Sequence, residues 1–273
     1  MKDSSYSLLL QALQALKEFG QNEIYIGHDN WQFLSVMAEH SLASINSADK
    51  IPLTSCQDVP PTSSLSSGDK RPQWEELRAH VLGSQDFQKH LRPGKQLVFG
   101  VGNLDTDIFF CGEAPGADEE IQGIPFVGRA GQLLTKIILA MGLTREQVYI
   151  SNIMNWRPEM PTEHGNRPPT QEEMEYCLPY LRAQVDIIRP KVIVALGATA
   201  TNGLLGYDAQ RRISLCRGQW YEFQNIPLMV TFHPSYLLRN QSQSTKRLVW
   251  EDMLETMKRV GMIISDKQAK YFL

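Results

Sequence analysis

A run of carboxylates, glycines and one aromatic ring forms the part of this chain best suited to chemistry. It reads Gly112-Glu113-Ala114-Pro115-Gly116-Ala117-Asp118-Glu119-Glu120 and continues to Pro125-Phe126-Val127-Gly128-Arg129-Ala130-Gly131. Before it stands an apolar run, Ile108-Phe109-Phe110-Cys111, patterned as a buried strand. After it, Leu133, Leu134, Ile137, Ile138 and Met141 recur at helical spacing up to Gly142. Open α/β sheets bind ligands between a strand's carboxyl end and the next helix. Glycines there let backbone approach a ligand, and a helix N-terminus favours anions. Phe126 and the carboxylates suit a flat polar ligand better than a bare phosphate. The plainer alternative is a tight Gly-Pro turn with solvated acids.

Four further segments could face that loop. Ser151-Asn152 follows the strand-like Val148-Tyr149-Ile150, and an Asn side chain offers one acceptor and two donors to an amide-bearing ligand edge. Asn is equally a common turn former. A proline-stiffened loop from Asn155 to Thr170 carries Arg157 and Arg167, candidates for phosphate contact, and closes on Thr170-Gln171-Glu172-Glu173, the spacing of a capping box. Leu196-Gly197-Ala198-Thr199 ends a strand at a helix start, where amides and the Thr199 hydroxyl suit a phosphate or simple α/β packing. In Thr231-Phe232-His233-Pro234-Ser235-Tyr236-Leu237-Leu238-Arg239-Asn240, His233 closes an apolar strand and can donate to a developing anion. Leu237 and Leu238 beside Arg239 read as an exposed loop tip, the chemistry of a wedge that enters a base stack.

The elements that must position these residues alternate. Asp107 to Cys111, Val148 to Ile150, Val192 to Leu196 and Leu228 to Phe232 read as strands. Gly131 to Met141, Gln171 to Ile188, Thr199 to Leu205 and Lys246 to Met262 read as helices, with a short helix over Trp74 to Leu82. That order predicts an α/β fold with a mostly parallel sheet covered on both faces. Residues 1–41 read as a helical extension, with Leu9, Ala12, Leu13 and Leu16 on one face, rather than a signal peptide. Residues 42–73, dense in Ser, Pro and Asp, read as a flexible linker, leaving 74–273 as the main domain.

Composition narrows the class. The chain has 273 residues, 42% hydrophobic and 21% charged, ordinary values for a water-soluble domain. No stretch approaches the roughly 20 apolar residues of a membrane span. A formal net charge of -3 gives no global attraction to nucleic acid, so a nucleic-acid role needs a local basic patch. The cysteines, Cys56, Cys111, Cys177 and Cys216, are widely spaced, which fits a reducing cytoplasm rather than a disulfide scaffold.

Taken together and in this order, these segments resemble the uracil-DNA glycosylase superfamily, in particular its family 4, the iron–sulfur branch. GEAPGADEE…PFVGRAG is similar to that branch's first motif and FHPSYLLRN to its second, and the likeness runs from Val98 to the C-terminal helix. The resemblance implies a three-layer α/β/α sandwich around a central, mostly parallel sheet. It implies an enzyme that flips uracil out of single- or double-stranded DNA and hydrolyses its N-glycosidic bond, acting as a monomer. Phe126 would stack on the base, Asn152 would read its amide edge and His233 would face O2. Glu113 and Glu119, with the backbone of Ala114 and Gly116, would line the sugar side, one of the two carboxylates positioning water or balancing charge. Arg129, Arg157, Arg167, Thr199 and Ser235 would contact DNA, and Leu237, Leu238 and Arg239 would fill the space the base leaves.

The chain also departs from that branch. Four cysteines hold its cluster, and the corresponding positions here are Ser84, Phe87, Trp156 and Cys177. One thiolate cannot bind a cluster needing about four. The expectation is therefore a chain with no metal and no cofactor, packed around Phe87 and Trp156 instead. The alternatives are a catalytically inactive uracil-DNA-binding module of the same fold, or a covalently trapping one in which His164 of the long loop is the nucleophile.

Overall fold

The structure is a computed structural model and describes residues 69–159 and 165–273. The helix expected in 1–41, the linker up to residue 68 and His164 lie outside the described residues. The first element, α1 (Arg71–Gly83), begins inside the stretch expected to be linker, with Pro72 in its opening turn where a missing N–H costs nothing. A one-turn helix, α2 (Gln85–Gln88), follows. The order then runs β1 (Val101–Gly102), β2 (Ile108–Gly112), α3 (Ala117–Gln122), α4 (Arg129–Ala140), a 3-10 turn (Arg145–Gln147), β3 (Tyr149–Asn152), α5 (Gln171–Ile188), β4 (Val192–Leu196), α6 (Ala198–Leu205), α7 (Ile213–Cys216), β5 (Trp220–Phe223), β6 (Ile226–Thr231), α8 (Pro234–Arg239), α9 (Gln243–Arg259) and α10 (Asp266–Ala269).

The sheet order is β1-β3-β2-β4-β6-β5. The inner strands β3, β2, β4 and β6 are parallel, and the two edge strands are antiparallel to their neighbours. The inner strands are apolar runs because both faces are covered: every residue of β2 and β4 is buried. On one face Ile108, Phe110, Ile150, Val194 and Met229 pack with Leu134 and Ile138 of α4 and with Trp250, Met253 and Met257 of α9. On the other, Tyr149 and Ser151 of β3 hydrogen-bond the buried Gln184 of α5 (3.0 and 3.1 Å), and the Trp74 indole of α1 donates to the Tyr149 hydroxyl (2.7 Å). Thus three layers form, α/β/α.

The sequence expected β4 and α5 with the observed boundaries. It missed the edge strands. β5 and β6 are joined by a two-residue hairpin in which Gln224 and Asn225 both have positive φ (50° and 60°). That is a turn usually signalled by Asn-Gly, a signal Gln-Asn does not give.

Register is what gathers the site. Gly112 at the end of β2 pairs with Asn152 at the end of β3, and Leu196 at the end of β4 pairs with Thr231 at the end of β6. The carboxyl ends of the inner strands therefore finish level, and the loops that follow them share one rim.

Candidate active site

A cavity of about 730 Å³ opens at that rim. Its floor forms where β2 and β3 end. A methyl group placed on Gly112 would lie 2.4 Å from the Asn152 amide oxygen and 2.4 Å from Cζ of Phe126. The absent side chain at 112 is what lets the Phe126 ring and the Asn152 amide meet. Asn152 is buried, and its Oδ1 has no hydrogen-bond partner among the described residues. A buried polar atom without a partner costs about 1–3 kcal/mol, so Oδ1 is an open acceptor aimed at whatever donor enters the cavity.

Phe126 sits in the left-handed region (φ 55°), unusual for an aromatic residue. Its ring lies 5.8 Å from the His233 ring, inclined by 34°. His233 caps the N-terminus of α8: its Nδ1 accepts from the Ser235 amide (3.1 Å) and contacts the Ser235 hydroxyl (2.8 Å). With Nδ1 as acceptor, the neutral ring carries its proton on Nε2. Burial, then the positive charge of Arg239, lowers the His233 pKa from 6.5 to about 4. The imidazole is therefore a neutral donor at physiological pH.

The two candidate carboxylates differ. Glu113 lines the cavity and hydrogen-bonds Thr199 at the start of α6; burial raises its pKa, and the Thr199 hydroxyl partly offsets that. Glu119 is consumed by backbone. Its Oε2 accepts from the Gly116 amide (3.0 Å), and its Oε1 accepts from the Val127 and Gly128 amides (2.9 Å each). Gly116 and Glu119 are the N-cap and N3 positions of α3, so the carboxylate satisfies the N-cap amide, half of a capping box, as well as lining the cavity.

Ala114, Gly116, Arg129, Arg167, Thr199, Ser235 and Arg239 also line the cavity, as expected for one site. Arg129 and Arg239 are exposed and have no ion-pair partner among the described residues, so both stand available to an anion at the rim. Arg167 is less free, forming a two-pronged pair with Glu173 (2.7 Å each). Arg157 corrects its expectation as a surface phosphate contact. It is 8% exposed, donates to Glu120 (2.8 Å) and to Asn166 (2.8 Å), and does not line the cavity. Glu120 is in turn gripped by Arg92 (2.7 and 2.8 Å). A buried guanidinium shared among three acceptors, the third being the Gly165 carbonyl, is a strut of the loop.

The expected leucine tip is also corrected. Residues 234–239 form a helix, not a loop tip, and Leu237 is buried with Phe232 and Val249 against Leu133, Ile137 and Ile213. Leu238 is half-buried and outside the cavity lining. Tyr236, which the sequence did not single out, is exposed at the cavity and stacks on Phe232 (4.6 Å). Arg145 went unnoticed too. Its guanidinium donates to the carbonyls of Pro125 (2.8 Å) and Phe126 (3.0 Å).

The positions where a four-cysteine cluster would be held do not fit one. Phe87 and Trp156 meet edge to face at 5.5 Å, Phe87 packs on Tyr176 (5.3 Å) and Tyr180 (4.9 Å), and His90 stacks flat on Trp156 (4.2 Å). Cys177 is fully buried, and burial pushes its thiol up, away from the thiolate that ligation needs. Among the described residues no group of three or more His, Cys, Asp or Glu is arranged to hold a metal, and no helix is long and apolar enough to cross a membrane.

The chain is 47% identical over 159 residues to the type-4 uracil-DNA glycosylase of Thermotoga maritima, covering 58% of this chain and 79% of that protein. It is 38% identical over 181 residues to the type-4 uracil-DNA glycosylase of Archaeoglobus fulgidus, covering 64% and 85%. The type-5 uracil-DNA glycosylase of Pyrobaculum aerophilum is 28% identical over 175 residues, covering 59% and 73%. Residues 99–254 match the family model of the uracil DNA glycosylase superfamily, which takes in every cavity residue discussed above, and the chain belongs to that superfamily.

Proposed function

We propose that this protein removes uracil from DNA by flipping the nucleotide into the cavity and hydrolysing its N-glycosidic bond, leaving an abasic site. One observation carries the reading furthest. An unpartnered buried amide oxygen on Asn152, the Phe126 ring and a neutral His233 donor converge on a single cavity. A uracil ring offers what each lacks: an N–H for the amide oxygen, a flat face for the ring and a carbonyl oxygen for the imidazole.

Extruding the base costs a few kcal/mol, less at a mismatch. Cleavage then develops negative charge on the uracil and oxocarbenium character on the sugar. His233 donates from Nε2 to the developing O2 anion, a role a neutral ring performs without adding a proton. On the sugar side Glu113 is the better-placed carboxylate, because both oxygens of Glu119 are held by backbone amides. Glu113 either orients the attacking water or balances the sugar's charge. Arg129 and Arg239 hold flanking phosphates. We further propose that the chain works without an iron–sulfur cluster, since three of the four positions in question are Ser84, Phe87 and Trp156.

The test is release of free uracil from a duplex carrying one U·G pair, with Asn152→Ala and His233→Ala run alongside. Release that falls at least about 100-fold in each variant supports the reading, the order expected for loss of one preorganised hydrogen-bonding group. Salt-sensitive binding without release would replace it with an inactive binding module. A species that stays on the DNA through denaturation would replace it with a trapping one.

A further inference from the structure

The Phe126 segment is held by two charges that touch opposite sides of its backbone. On the carbonyl side, Arg145 donates from Nη2 to Pro125 O (2.8 Å) and from Nη1 to Phe126 O (3.0 Å), with a further contact to the Thr135 hydroxyl (3.3 Å). On the amide side, Glu119 accepts from the next two residues, Val127 and Gly128 (2.9 Å each). The 126–127 peptide is thus held at both ends, its carbonyl by Arg145 and its N–H by Glu119, and the peptides on either side are each held once, around a residue whose φ of 55° an aromatic side chain rarely adopts. Among the described residues neither Arg145 nor Glu119 forms an ion pair, and the segment they fix presents the ring that faces His233.

We propose that Arg145 is a positioning residue for base stacking, acting with Glu119 as a two-charge clamp that holds Phe126 in its left-handed conformation. This rests on the uracil reading of the cavity. The guanidinium is the part that matters: its planar fork serves two carbonyls at once, whereas a lysine ammonium is a single point charge. Arg145→Lys therefore keeps the charge and loses the fork. Glu119, the second carboxylate of the first loop, works on the same backbone from the other side as well as lining the cavity.

The experiment is a double-mutant cycle on kcat/KM for uracil release, with Arg145→Lys in the native chain and in Phe126→Leu. Displacing the ring by about 1 Å should lower kcat about 100-fold with KM for the DNA unchanged. In Phe126→Leu the same substitution should cost less than about threefold, because coupled residues are not additive. Equal losses in both backgrounds would overturn the proposal. So would a loss carried by KM, which would make Arg145 a DNA contact. Backbone amide shifts read the clamp independently of activity: the Val127 and Gly128 signals should move in Arg145→Lys while those of β4 stay put. Unmoved signals overturn the clamp even in an active enzyme. A wild-type chain that releases no uracil removes the uracil reading, and the amide shifts alone then decide the clamp.

Discussion

Gly131 in the first turn of α4 offers a substitution whose sign local rules get wrong. Replacing glycine by alanine in a helix gains up to about 1 kcal/mol. A β-carbon at 131, however, would lie 1.9 Å from the Phe126 carbonyl oxygen, 2.0 Å from its carbon and 2.6 Å from Cα. Contact between such atoms is comfortable at about 3.5–4 Å, so backbone must retreat by roughly 1.5 Å. Every one of these atoms is main chain, and the Arg145 fork holds the same carbonyl in place. Overpacking of this kind costs typically about 1–3 kcal/mol and more where nothing yields. The net expectation for Gly131→Ala is destabilisation by about 1–2 kcal/mol, a drop in melting midpoint of about 2–8 °C for a domain of this size. Because the atom displaced belongs to Phe126, kcat for uracil release should fall by about 100-fold as well. Gly83 at the end of α1 is the control, since a β-carbon there meets nothing within 4 Å. Gly83→Ala should leave activity within error and the midpoint unchanged or raised by up to about 4 °C. Thermal melts read by circular dichroism, beside the uracil-release assay, decide it. A Gly131→Ala protein that melts at or above wild type with full activity would refute the reasoning.

Three other outcomes are expected. The His233 pKa is lowered in the folded state, so its contribution to stability is fully present above 6.5 and is lost as pH falls through about 4; denaturant midpoints should drop less between pH 7 and pH 5 in His233→Ala than in wild type, and nitrogen-15 shifts of the ring should report the neutral Nε2–H form at pH 6. Trp156→Ala should cost about 3–5 kcal/mol, the range for deleting a large buried ring, while iron and sulfide analysis of the wild-type protein should find neither and chelator should leave its melting midpoint unchanged. Arg129→Ala and Arg239→Ala should each flatten the slope of log affinity against log salt by about one unit without changing the preference for uracil, as loss of one phosphate contact requires.

How far the sequence reached depended on whether a residue's partner was near it in the chain. The start of α5 was legible because Thr170 and Glu173 close a capping box three residues apart. The inner strands were legible because burial on both faces leaves unbroken apolar runs. Asn152 and His233 could be nominated because each ends such a run. Glu119 was legible in principle: Gly116 and Glu119 have N-cap and N3 spacing, but the same carboxylate reads as pocket chemistry when α3 is not recognised inside the loop. Leu237 misled for a similar reason. His-Pro-Ser at 233–235 is a helix start as well as a turn, and the helix turns Leu237 inward. Arg157 and Arg145 were beyond reach. The Glu120 that pairs with Arg157 is 37 positions away and the carbonyls that Arg145 serves are 19 and 20 away, and no local pattern announces such bonds.

At the corner where Phe87, Trp156 and Tyr176 meet, ring contacts tie α2, the loop after β3 and α5 together. Apolar burial of this kind weakens on cooling, because the hydration that drives it carries a large heat capacity. Cold is therefore the condition that loosens this corner. Arg157 is the next residue along the chain from Trp156, and through Glu120 it reaches Arg92. A chilled sample should lose stability at this corner, and residues 155–159 beside it should loosen with it.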